Sequence, residues 1–173
     1  MGCDIHMYVE RRHNRYGGGK TEWLCGDYFS IKNPLDPECR PVLQELWGDR
    51  WYELFAVLAN VRNGHGEAAQ PYIDLPRGIP DDATEYVKDE YRLWDDDAHS
   101  SSYFTLKELI EFQLEHRPIS HFGAHDILEP IIESLKKRAA DFNIISEFEW
   151  NREWTDELRD KMDNIRIVFW FDN

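Results

Sequence analysis

Ile165-Arg166-Ile167-Val168-Phe169-Trp170-Phe171 is β-branched or aromatic at all but one position and is flanked by Asn164 and Asp172. A run that is apolar at odd and even positions alike has no wet face, which predicts a strand covered on both sides at the centre of a sheet. Near the opposite end, Cys3, Ile5, Met7 and Val9 alternate with Asp4, His6, Tyr8 and Glu10. Period two predicts a second strand with one buried face. These two strands are expected to pair, which brings the ends of the chain together. Asn14 to Lys20, with Gly17, Gly18 and Gly19 in a row, reads as a turn, and Thr21 to Cys25 as the returning arm of a hairpin.

Between the terminal strands the helical period dominates. Asp49 is placed to cap a helix over Arg50 to Val61, where Trp51, Leu54, Phe55 and Leu58 fall at i, i+3, i+4 and i+7. Asn63-Gly64-His65-Gly66 offers residues for a left-handed stop. Asp82 and Glu85 have capping-box spacing for a short helix toward Arg92, and Trp94 to Ser102 reads as polar loop. Thr105 and Glu108 form a stronger capping box for a helix ending near Pro118. Leu128, Ile131, Ile132, Leu135 and Ala139 predict another from Asp126 to Phe142, with Pro130 in its first turn. Asn143 to Trp150 fits strand or loop, and Thr155 caps a short helix to Met162. Asn33 to Pro41, with three prolines, reads as irregular loop. The expected fold is α+β: a small, mostly antiparallel sheet with N- and C-terminal strands paired and helices packed on it, in one domain over residues 1–173.

Composition limits the function classes. The 173 residues are 42% hydrophobic and 14% aromatic, enough for a packed core rather than a disordered chain. No apolar run reaches the ~20 residues of a membrane span, and no basic-then-apolar leader opens the chain, so a cytoplasmic protein is expected. A formal charge of −14 disfavours binding to phosphate backbones, so direct nucleic-acid binding is not expected. Cys3, Cys25 and Cys39 are odd in number and lack C-x-x-C spacing, which predicts reduced thiols. Met1-Gly2-Cys3 resembles an acylation start, but His6 stands where myristoylation requires Ser or Thr.

Four polar clusters carry possible chemistry. On a strand, Asp4 and His6 point the same way and form half of a metal site, or a solvated face. Asp97-Ala98-His99-Ser100-Ser101-Ser102 supplies a candidate general base, His99, oriented by Asp97, with hydroxyls for an anion; its bland reading is a polar loop. Arg62-Asn63-Gly64 and Arg77-Gly78 set guanidiniums beside glycines, suited to phosphate or to a neighbouring carboxylate. His121 and His125 have i, i+4 spacing, but Gly123 argues for a loop. No P-loop, nucleophile elbow or HExxH motif is present.

Met1-Gly2-Cys3-Asp4-Ile5-His6, Tyr52 to Asn63, Arg77 to Asp82, Asp97 to Leu106 and the ending Arg166 to Asn173 form a series of motifs. In them the chain resembles a family of small uncharacterised bacteriophage and prophage proteins. The resemblance spans most of the chain. Ser101 and Tyr103 depart from the pattern, where His or Ala, and Trp, are expected. The resemblance implies a phage accessory protein of the host cytosol but no reaction. It gathers the polar residues into one hypothesis: a pocket that binds or hydrolyses a small phosphate-bearing ligand such as a nucleotide. Asp4, His6 and Asp97 would hold a divalent metal, His99 would be the acid/base, and Arg62, Asn63, Arg77 and Ser100 would bind the ligand. The alternative is an acidic protein that occupies a basic surface of a host protein, without catalysis. Oligomeric state is left open.

Overall fold

The computed structural model describes residues 2–12, 22–30, 35–36, 38, 41–44, 46–47, 50–64, 69–116 and 124–172. The predicted turn over 14–20, Asp49, His65, Gly66, Pro118 and His121 to Gly123 lie outside these residues, as does part of the loop over 33–41.

The C-terminal run forms β6 (Ile165–Asp172), in the interior of a four-stranded antiparallel sheet. On one side it pairs with β1 (Asp4–Arg11), from Asp4 opposite Asp172 to Arg11 opposite Ile165. On the other side it pairs with β5 (His99–Thr105). The short β2 (Leu24–Cys25) returns against β1, giving the order β2-β1-β6-β5. A separate ribbon joins β3 (Tyr28–Ser30) to β4 (Val42–Gln44). The fold is α+β, with the two terminal strands side by side as their hydrophobic patterns demand.

Register decides which side chains share a face, because residues opposite one another point the same way. Cys3, Ile5, Met7 and Val9 join Ile165, Ile167, Phe169 and Phe171 in the larger core. It is covered by α1 (Tyr52–Ala59), α3 (Leu106–Glu115), α4 (Ala124–Asp141) and α6 (Asp156–Met162). The second face is also closed, unlike the solvated face expected for β1. Tyr8, Val168 and Trp170 pack there under α2 (Glu85–Trp94), through Val87, with Leu43 of β4 beside them. Each fully buried side chain of this size contributes about 1.5–3 kcal/mol by leaving water.

Among the described residues, four helix starts follow hydroxyl caps, whereas α1 begins after Trp51, whose side chain forms no cap. Thr105 and Glu108 form the expected reciprocal box on α3, and Thr155 caps α6. On α2 the cap is Thr84 rather than Asp82, whose carboxylate is taken by Arg166 and Trp23. The first helix is shorter than its pattern: it ends where Asn60 turns left-handed, at φ 58°, before the Asn-Gly run. Pro130 sits inside α4, beyond the first turn, because the helix begins earlier than expected. Residues 147–150, undecided between strand and loop, form the single turn α5 (Glu147–Trp150), closed by a Ser146–Glu149 box.

The largest departure is β5. His99 to Thr105 is strand where a polar loop is expected up to Ser102, and a 3-10 turn (Asp95–Asp97) precedes it. Its serines hid it: Ser101 and Ser102 are buried by pairing with β6, not by apolar character. Ser100 and Ser101 together face one residue of β6, between the His99–Phe171 and Ser102–Phe169 pairs. That is a β-bulge, with Ser100 left-handed at φ 52°, a position that favours glycine.

Candidate functional site

Asp4, His6, His99 and Ser100 lie at one end of the sheet, where β1 and β5 begin and β6 finishes, but the two histidines divide between its faces. His6 stands opposite Trp170 and therefore on the α2 side. Its ring lies 4.0 Å from that of Trp94 and 5.8 Å from that of Trp170, and Nε2 is 3.3 Å from Asp172 Oδ2. His99 stands opposite Phe171, on the larger-core side, with the two rings 6.0 Å apart. The expected convergence of His6 and His99 is thus corrected by the register, since adjacent residues of β6 point to opposite faces.

On the His99 face the geometry is close. His99 Nδ1 is 3.0 Å from Ser100 Oγ, and Nε2 is 4.0 Å from Cys3 Sγ. In one tautomer Ser100 donates to Nδ1 and the ring presents N–H to the sulfur; in the other the roles reverse. The Arg62 guanidinium lies over the Tyr52 ring at 5.3 Å, and its charge favours the ionised form of the Cys3 thiol. Burial pushes the Cys3 thiol up, outweighing the opposing effect of Arg62, so the sulfur stays protonated and weakly nucleophilic. Arg62, like Ser100, holds a left-handed backbone, at φ 53°.

The carboxylates at this end are engaged. Asp4 takes a bidentate clamp from Arg50, with Nε to Oδ1 at 2.5 Å and Nη2 to Oδ2 at 2.6 Å. That hydrogen-bonded guanidinium holds the Asp4 carboxyl below the usual range. Asp172 accepts from the Asp4 backbone N–H at 3.0 Å and faces His6. Asp97 is exposed in the 3-10 turn, and no contact ties it to Asp4 or His6. Among the described residues, no three His, Cys, Asp or Glu side chains are grouped to hold a metal ion. The metal trio Asp4, His6 and Asp97 is thus not grouped as expected among the described residues, with Asp4 held by Arg50 and His6 facing Asp172.

Two proposed ligand-binding residues hold the scaffold. Asn63 closes the loop after α1, giving its amide N–H groups to Asn60 Oδ1 and Gln70 O and accepting from the Gln70 N–H. Arg77 binds Asp74 at 3.0 Å and Glu108 at 2.7 Å, and stacks on Phe104. His125 lies in α4, away from β1 in sequence and element. The residues that the sequence reading left out of the site are Cys3, Arg50, Trp94 and Asp172. Asp172 was within reach: antiparallel pairing of the two terminal strands places it opposite Asp4.

No protein-family model, curated protein or solved structure matches the chain. Among the described residues, no helix is long and apolar enough to cross a membrane.

Proposed function

We propose that the protein binds a small phosphate-bearing molecule, a nucleotide as the leading class, at the corner formed by Arg62, His99 and Ser100. The carrying observation is backbone strain. Arg62 and Ser100 come from separate segments, yet both hold left-handed φ values, 53° and 52°, around the Cys3–His99 contact. A residue with a Cβ loses about 1–2 kcal/mol in that conformation. Such strain concentrates where a side chain must be placed for a ligand. Guanidinium, hydroxyl and imidazole together form a donor set suited to phosphate.

Local charge supports the same reading. Arg50 and Arg62 stand beside Asp4 and Asp172 at this corner and offset their charge. The reading is of binding, because guanidinium, hydroxyl and imidazole meet here as hydrogen-bonding groups while, among the described residues, no metal-ligand cluster forms. Together with the resemblance to phage proteins, it describes an accessory protein that sequesters its ligand in the host cytosol.

The test is a thermal-shift titration with inorganic phosphate, mononucleotides and cyclic nucleotides, with and without magnesium. A ligand specific to the native state raises Tm progressively with its concentration. The rise should vanish in Arg62→Ala and persist in Arg77→Ala, each measured against its own starting Tm. A flat response to every one of these ligands would sink the reading.

A further inference from the structure

A cleft of about 770 Å³ opens at the other end of β1, between β2 and the first turn of α2. Its volume is that of ligand pockets, about 300–1,000 Å³. β1 spans eight residues, so the cleft lies roughly 25 Å from the Cys3 corner at about 3.3 Å per residue.

The back wall is Trp23, which is 8% exposed. The Arg166 guanidinium carbon lies 3.9 Å from its ring centre, and that of Arg12 lies 4.5 Å away. Trp23 Nε1 donates to Asp82 Oδ2 at 3.0 Å, and Asp82 Oδ1 is 2.9 Å from Arg166 Nη2. Behind them Glu10 completes the Arg166 pairing at 2.7 Å. The wall therefore holds guanidiniums by a ring face, with carboxylates placed for the fork. Arg12 is anchored from the far side by Asn164 Oδ1 and Asp163 O.

The rim offers the same pairing of ring and carboxylate. Glu22 and Glu85 are exposed beside the half-buried Tyr86 ring. Among the described residues Glu85 pairs with Lys88, at 3.4 Å with Glu85 77% exposed, and such pairs contribute little. Among the described lining residues, Glu22, Asp82 and Glu85 outnumber the cationic Arg12, a balance that favours a cationic group.

We infer that this cleft docks an arginine side chain carried on a segment of a partner protein. The planar guanidinium matches a ring-and-carboxylate rim better than a lysine ammonium, which neither stacks flat nor binds a carboxylate with two parallel N–H groups. The charge of −14 steers such a basic partner toward the chain. This site is independent of the phosphate corner, being at the opposite end of β1 and of the opposite ligand charge.

Fluorescence polarisation tests it on the full chain. The probes are short labelled Gly/Ser peptides carrying one central arginine, lysine or citrulline. The arginine peptide should bind about tenfold more tightly than the citrulline peptide, which is similar in shape but neutral, and than the lysine peptide. Glu22→Gln with Glu85→Gln, both exposed, should weaken arginine-peptide binding about tenfold. The same double change should leave the nucleotide response intact, whereas Arg62→Ala should leave peptide binding intact. Glu133→Gln with Glu147→Gln, in a separate groove between α4 and α5, should change neither. Equal binding of citrulline or lysine peptides, an unchanged affinity in the Glu22/Glu85 variant, or no arginine-peptide binding would each overturn the proposal.

Discussion

Ser100 occupies a bulge position at φ 52° where glycine is at ease, yet it keeps a hydroxyl 3.0 Å from His99 Nδ1. Ser100→Gly should therefore raise stability by about 1 kcal/mol while removing the ligand-induced Tm rise. Chemical denaturation with and without ligand measures both. A variant that is more stable and still responsive would separate the strain from binding. Asp27 gives the second prediction at this scale. It is buried beside β1, where Oδ1 accepts from the Val9 N–H at 3.0 Å. Burial pushes its carboxyl up to about 7 from 3.8; Val9, Arg138 and Cys25 lower it, and Glu10 raises it. Between about pH 4 and 7 the folded state holds a proton that the unfolded chain has lost, so this contribution to stability falls as pH rises through that window. Asp27→Asn can keep the Val9 bond without titrating. Its stability relative to the parent should climb across that range, by about 1–3 kcal/mol after allowance for partial burial. Parallel pH profiles for the two proteins would contradict the assignment.

At the element scale, the α3 start is the clearest local instruction in the chain. Thr105 Oγ1 accepts from the Glu108 N–H, Glu108 Oε2 accepts from the Thr105 N–H, and the Thr105 hydroxyl donates to Asp163. Thr105→Ala should cost about 1–2 kcal/mol in urea unfolding, since it removes a cap and a tie to the end of α6. An unchanged midpoint would mean that tertiary packing alone positions the helix. β5 shows the opposite relation between sequence and structure. His99-Ser100-Ser101-Ser102 carries loop-like residues, and they become strand because β6 offers an open row of N–H and C=O groups alongside. Strand propensity is weaker than that demand. α5 was likewise hidden, as a single turn carries too little periodicity to read.

At the scale of the whole molecule, Glu10 and Arg166 join layers that the chain keeps far apart. They face each other across β1 and β6, both buried, and Glu10 Oε1 also accepts from the Thr84 N–H at the start of α2. Glu10→Gln should cost about 3–5 kcal/mol by leaving the Arg166 charge poorly paired. Glu10→Met combined with Arg166→Met should recover much of that loss, because both charges leave together. A double variant as unstable as the single would place the energy in Thr84 and Asp82 instead. The sequence by itself determined the terminal strands, their pairing, the main helices and the α+β class, since periods of two and of 3.6 and hydroxyl caps act within a few residues. It also marked Arg62, His99 and Ser100. Only the tertiary structure decided that Asp4 belongs to Arg50, Arg77 to Glu108, and His6 to the opposite face from His99. Those outcomes depend on register and on competition among many charged partners, and neither is encoded in any short stretch of chain.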